Sequence, residues 1–170
     1  IALQSAKNSV LPLLAASILT EKRVVIRDAP NISDVACMAQ ILRELGATVR
    51  FSGGNVTIDS ADACCHEIPS SLTRELRSSV FMLGSLLSRF GRALIAYPGG
   101  CDIGLRPIDL HLSALKRLGV TISERDGFIF CECAKLRGAE ILLDFQSVGA
   151  TENTLLAAVK AEGRTVLTGA

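Results

Sequence analysis

Apolar positions recur along this chain at two periods, and the two alternate in a fixed order. Asn8–Leu19 is apolar on nearly every side, which predicts a helix buried within the domain. A short strand, Arg23–Ile26, follows. Val35, Met38, Ala39, Leu42 and Leu45 then fall at helical spacing, so Asp34–Leu45 reads as a second helix, with Ser33 in position to cap it and Gly46 to end it. Thr48–Phe51 and Val56–Ile58 flank Ser52-Gly53-Gly54-Asn55, the signature of a hairpin.

The same order returns further on. Leu72–Phe90, carrying Val80, Phe81, Leu83, Leu86 and Leu87, reads as one long apolar helix ended by Gly91, and Ala93–Tyr97 as a strand. Pro107–Leu118 reads as a second helix, with proline at its first position, Asp109 in its first turn and an apolar stripe of Ile108, Leu112, Leu115 and Leu118. His111 is placed on the polar side of that helix. Thr121–Glu124 and Phe128–Cys131 then flank Asp126-Gly127. Leu45-Gly46-Ala47-Thr48-Val49 matches Leu118-Gly119-Val120-Thr121-Ile122 at an offset of 73 residues. A third copy starts at Ile141–Asp144, continues through a helix at about Thr151–Ala161, and reaches Gly163-Arg164-Thr165-Val166-Leu167. The expectation is an α+β (α/β) domain of βαβαββ units, at approximately 1–60, 61–133 and 134–170, the last incomplete. Central apolar helices would be surrounded by sheets.

The chain has 170 residues, the length of about one domain, and a net charge of +1. That balance argues against a general nucleic-acid or anionic-membrane binder, whose affinity comes from many lysines and arginines. The longest nearly pure apolar run, Val10–Leu19, is half the roughly 20 residues a membrane span needs. No cationic leader with a cleavage site precedes it, so neither a signal peptide nor a membrane segment is expected. The abrupt start at Ile1 suggests a fragment. Six cysteines lie at 37, 64, 65, 101, 131 and 133, at spacings unlike a zinc site, and the expectation is reduced thiols in a cytoplasmic protein. Cys37, Cys131 and Cys133 fall in regular elements as core or hairpin filler; Cys64 and Cys65 have no assigned place.

The candidate chemistry lies in Pro98-Gly99-Gly100-Cys101-Asp102-Ile103-Gly104-Leu105-Arg106-Pro107. Glycines make this a loop, and Arg106 together with a following helix N-terminus favours a thiolate or an anionic ligand. Cys101 is therefore either a reactive thiol or a half-buried loop thiol. Lys7-Asn8, Arg77-Ser78-Ser79 and Ser147-Val148-Gly149 with Thr151 stand at three equivalent helix starts. Each alone is compatible with ordinary capping. Together, in a threefold arrangement, they would face one end of the domain and suit a phosphate or carboxylate. No Walker loop, dinucleotide fingerprint or nucleophile elbow appears, and no cofactor is expected.

At these residues the sequence resembles the UDP-N-acetylglucosamine 1-carboxyvinyltransferase family. The matching pieces are Ala6-Lys7-Asn8 with Leu11-Pro12, Leu76-Arg77-Ser78-Ser79, the stretch Pro98–His111, and Ser147-Val148-Gly149-Ala150-Thr151-Glu152-Asn153, in the family's order across essentially the whole chain. The resemblance implies one domain of a two-domain enzyme, each domain an inside-out α/β barrel (an α/β prism) of three such units, with the active site between them. It implies transfer of enolpyruvate from phosphoenolpyruvate to the 3′-hydroxyl of UDP-N-acetylglucosamine through a tetrahedral ketal, with release of phosphate. Cys101 then corresponds to the proton donor that also forms a covalent adduct. Lys7 and Arg106 correspond to the cations around phosphoenolpyruvate, with Asn8 beside them. Arg77, Arg106, Pro107, Ile108, Asp109, Leu110, Ser147, Val148 and Gly149 correspond to groups that position the UDP-sugar.

Two departures stand out: Ser5 occupies a position where the family usually has glycine, and Phe145-Gln146 stands where some relatives have lysine. The family's general-base aspartate has no counterpart here, so the chain alone is expected to be inactive. Competing readings are a non-catalytic UDP-sugar binding module, a truncated paralogue, and the related transferase acting on shikimate 3-phosphate.

Overall fold

The computed structural model describes residues 7–98 and 108–170. Helix α1 (Lys7–Ala16) runs into a 3-10 turn at Ser17–Leu19 and is followed by strand β1 (Val24–Ile26), helix α2 (Ser33–Glu44) and a hairpin of β2 (Thr48–Ser52) and β3 (Asn55–Asp59). A short helix α3 (Ser70–Glu75) and a 3-10 turn at Arg77–Val80 lead into α4 (Phe81–Phe90). Strand β4 (Arg92–Ala96), helix α5 (Asp109–Arg117) and the hairpin of β5 (Thr121–Arg125) and β6 (Phe128–Glu132) come next. Strand β7 (Glu140–Leu142), helix α6 (Val148–Ala158) and β8 (Val166–Thr168) complete the order.

The strands form separate sheets. Two have three antiparallel strands in equivalent order, β1-β3-β2 and β4-β6-β5, and β7 pairs with β8 in parallel. Both antiparallel sheets turn their hairpins through residues in the left-handed region, Gly53-Gly54 in one and Asp126-Gly127 in the other. That conformation matches the twist of the flanking strands. An isolated parallel bridge of Glu67 to Leu94 precedes and follows α3–α4 as β7 and β8 precede and follow α6.

Apolar faces of helices must be covered. Accordingly α1, α4 and α6 pack against one another, while α2 packs on α1 and β2, and α5 on α6, β5 and β7. Leu11, Leu14, Met82, Leu83, Leu86, Ala150 and Ala157 are essentially inaccessible. Gly84 allows the closest of these approaches. Its amide donates to Asn153 Oδ1 at 2.9 Å, and a Cβ there would stand 2.3 Å from the Asn153 carbonyl oxygen.

The structure departs from the sequence expectations in three elements. The single helix expected over Leu72–Phe90 is broken at Leu76, which is extended (φ −117°, ψ 105°) and buried. The Leu72, Leu76, Val80 spacing keeps the helical period in the sequence although the backbone at Leu76 is extended. Ser33 is the first residue of α2 rather than its cap; Ile32 holds the cap position and makes no side-chain cap bond. Helix α6 begins at Val148, three residues before the expected Thr151, because Ser147 Oγ accepts the Ala150 amide at 3.3 Å.

Candidate functional site

The starts of three helices meet at one pocket of about 310 Å³. Asn8 comes from the first turn of α1. Arg77 and Ser78 come from the 3-10 turn that the break at Leu76 creates. Val148 and Gly149 come from the first turn of α6. Thus Asn8, Arg77, Val148 and Gly149, singled out separately along the sequence, line a common space. Amides at a helix N-terminus and a guanidinium both favour a negatively charged group there.

Not every expected residue lies at this pocket. Ser147 caps α6 with its own hydroxyl. Ile108 is buried in the core, Asp109 is exposed at the start of α5, and Leu110 is half-buried; none of the three lines the pocket. Cys101, Arg106 and Pro107 lie outside the described residues, as does the side chain of Lys7. Cys37 and Cys131 are buried and Cys133 is half-buried, as filler should be, whereas Cys64 and Cys65 are exposed between β3 and α3. No cluster that could hold a metal occurs among the described residues, and no helix among them is long and apolar enough to cross a membrane.

The pocket also holds two groups that the sequence reading left out. His111, expected on the polar side of α5, is 7% exposed and lies in the pocket wall. Its Nδ1 stands 3.3 Å from Asn153 Nδ2. Burial, reinforced by the positive charge of Arg77, lowers the imidazole pKa to about 4, so the ring is neutral at neutral pH. The signal was available: His111 is three residues after Ile108 and four before Leu115, on the apolar stripe. The second group is Glu152, one turn into α6, whose carboxyl is pushed up by burial.

The family model for EPSP synthase (3-phosphoshikimate 1-carboxyvinyltransferase) matches residues 1–170. The chain belongs to the EPSP synthase family. Among curated members, it is 52% identical over 165 residues to UDP-N-acetylglucosamine 1-carboxyvinyltransferase 2 of Caldanaerobacter subterraneus subsp. tengcongensis, covering 97% of this chain and 40% of that protein. It is 51% identical to UDP-N-acetylglucosamine 1-carboxyvinyltransferase 1 of Symbiobacterium thermophilum, covering 97% and 39%. The chain therefore spans about two fifths of the length of these relatives.

The enolpyruvyl transferase NikO from Streptomyces tendae superposes with a TM-score of 0.82 at 25% identity, over 95% of this chain and 38% of that one. EPSP synthase from Acinetobacter baumannii superposes at 0.74 with 19% identity, over 99% and 39%, a likeness of fold alone. The mixed helix and sheet content is that of the family's fold.

Proposed function

We propose that this chain is part of a UDP-N-acetylglucosamine 1-carboxyvinyltransferase, which transfers enolpyruvate from phosphoenolpyruvate to the 3′-hydroxyl of UDP-N-acetylglucosamine and releases phosphate. The observation that carries this reading is the convergence of Asn8, Arg77, Val148 and Gly149 on one pocket. Those residues belong to the motif pieces that resemble this family, and relatives bearing that name are 52% and 51% identical to the chain. For the transferase acting on 3-phosphoshikimate, the support is the broader family match and a likeness of fold at 19% identity.

In this proposal the 3′-hydroxyl oxygen adds to C2 of phosphoenolpyruvate, giving its proton to a base supplied from outside this chain, while the Cys101 thiol delivers a proton to C3. The resulting tetrahedral ketal then loses phosphate from C2 and a proton from C3, leaving the enol ether. Lys7 and Arg106 neutralise the phosphate and carboxylate as charge moves, with Asn8 beside them. Arg77, the Arg106–Leu110 stretch and Ser147-Val148-Gly149 hold the UDP-sugar, and no residue of this chain takes the general-base role. The proposed architecture is an inside-out α/β barrel of three βαβαββ units, at approximately 1–60, 61–133 and 134–170. A second domain closes the site, and the enzyme works in the cytoplasm.

The test is phosphate release from phosphoenolpyruvate with UDP-N-acetylglucosamine or shikimate 3-phosphate as acceptor. The assay uses this chain alone and joined to the remainder of a relative. Release that requires the UDP-sugar, the added portion and an intact Cys101 is the expected result. Full turnover in Cys101→Ser would overturn the assigned chemistry, and release with shikimate 3-phosphate only would overturn the acceptor.

A further inference from the structure

One hydrogen-bonded chain crosses three helices and ends at the pocket. A backbone N–H can only donate, so the Gly84 amide at 2.9 Å fixes Oδ1 as the Asn153 atom that faces α4. The Asn153 amide nitrogen must then face α5, where it lies 3.3 Å from His111 Nδ1. That nitrogen has hydrogens to give and no lone pair to accept with, so His111 Nδ1 is the acceptor. A neutral imidazole carries one proton, which therefore sits on Nε2. Asn153 is fully buried and His111 is 93% buried, so this order is set by protein groups.

The Nε2 end borders the start of α6. A Cβ added at Gly149 would stand 3.5 Å from Nε2 and 3.4 Å from Cε1, ordinary contact distances that place the imidazole edge against the first turn of that helix. Among the described residues Nε2 has no hydrogen-bond partner. Among the described residues, Arg77, from the turn before α4, is the charged group that acts on the ring, and Glu152, from α6, lines the same pocket.

We infer that His111 is a neutral imidazole locked by Gly84 and Asn153 in the Nε2–H form, which donates a hydrogen bond to an anionic oxygen of the ligand seated at the start of α6. Arg77 and the α6 amides supply positive potential, and His111 adds a directed donor without a second buried charge. A fixed donor loses no reorganisation on binding. This rests on the proposed function only for the identity of the ligand; the tautomer and the direction of the donor do not depend on it.

The experiment is nitrogen NMR on the chain labelled in histidine, with His66→Gln used to assign the two histidines. Expected is a protonated Nε2 and an unprotonated Nδ1 on His111, unchanged through neutral pH, and a shift to the Nδ1–H form in Asn153→Asp. An Nδ1–H tautomer in the unsubstituted chain, or a His111 that ionises near the ordinary histidine value, would overturn the inference. Titration with UDP-N-acetylglucosamine, and separately with inorganic pyrophosphate, should move the Nε2–H signal. His111→Leu should weaken binding by about tenfold or more, and His111→Gln, which keeps a donor at the same reach, should recover most of it. A response to pyrophosphate without one to the UDP-sugar would sink the substrate assignment and leave this inference standing. If neither ligand moves the His111 signals, the inference fails whatever activity the enzyme has.

Discussion

Gly84 and Asn153 lie in direct contact: the glycine amide donates to the asparagine side chain at 2.9 Å, and a methyl group at Gly84 would fall 2.3 Å from the asparagine carbonyl oxygen. The obstacle is backbone of α6, which no rotamer change can move. Gly84→Ala should therefore force α4 and α6 apart, an overpacking cost of about 3 kcal/mol. Thermal unfolding should fall by roughly 6–12 °C. Unfolding at the unsubstituted temperature would mean that the two helices are not held this closely.

His111 makes stability depend on pH with a defined sign. Its pKa is 6.5 when unfolded and about 4 when folded. Between those values the unfolded chain binds the proton and the folded chain does not, so stability is full above about 6.5 and is lost as pH falls toward 4. The loss amounts to about 3 kcal/mol. Glu152 acts oppositely, because its raised carboxyl holds a proton that the unfolded chain has released. Urea midpoints measured across this range should fall on acidification, and His111→Gln should flatten that fall. Parallel slopes in the two proteins would remove His111 as the cause.

Much of this fold is legible in the sequence, and for identifiable reasons. Gly53-Gly54 and Asp126-Gly127 announce their hairpins because few other residues take consecutive left-handed conformations. The apolar runs of α1 and α4 announce that most of each helix is buried, although Leu13 of α1 stays exposed. The break at Leu76 is hidden, because a leucine four residues after Leu72 continues the helical period while its backbone becomes extended. His111 is hidden by its residue type: a histidine beside Asp109 looks solvent-facing until the stripe from Ile108 to Leu115 is followed through it. The convergence of Asn8, Arg77 and Gly149 could be read from the repeat, since equivalent helix starts share one end. The donor direction of His111 could not, since it is set by Gly84 and Asn153, residues 27 positions before it and 42 after it in the chain.

Thiol reactivity should separate four of the described cysteines into two groups. Cys64 and Cys65 are exposed, although their mutual hydrogen bond raises the pKa of Cys65. Burial pushes Cys37 to about 11, with Glu75 and Asp34 adding to it, and Cys131 to about 12. Only the thiolate reacts quickly. In a Cys101→Ser background at about pH 8, a disulfide exchange reagent should modify Cys64 and Cys65 first, and Cys37 and Cys131 only on unfolding. Rapid modification of Cys131 in the folded chain would contradict its burial under the β4-β6-β5 sheet.

Arg89, near the end of α4, reaches carbonyl oxygens of two separate segments. One terminal nitrogen donates to Ile18 O at 2.8 Å and Thr20 O at 3.2 Å; the other donates to Ser60 O at 2.7 Å, Ala63 O at 3.4 Å and Ala61 O at 3.5 Å. The guanidinium thus ties the turn after α1 to the chain leaving β3. Hydrogen bonds to a charged donor contribute about 1.5–3 kcal/mol each at best. The long contacts add little, so Arg89→Met should cost about 3 kcal/mol. Arg89→Lys keeps the charge, but a single ammonium cannot bridge both segments and should recover less than half of that loss. The checking measurement is urea unfolding at constant m-value, with limited proteolysis to detect loosening at residues 19–23 and 60–63. A lysine variant as stable as the unsubstituted chain would show that charge alone suffices, and that the two-sided fork is not what holds these segments together.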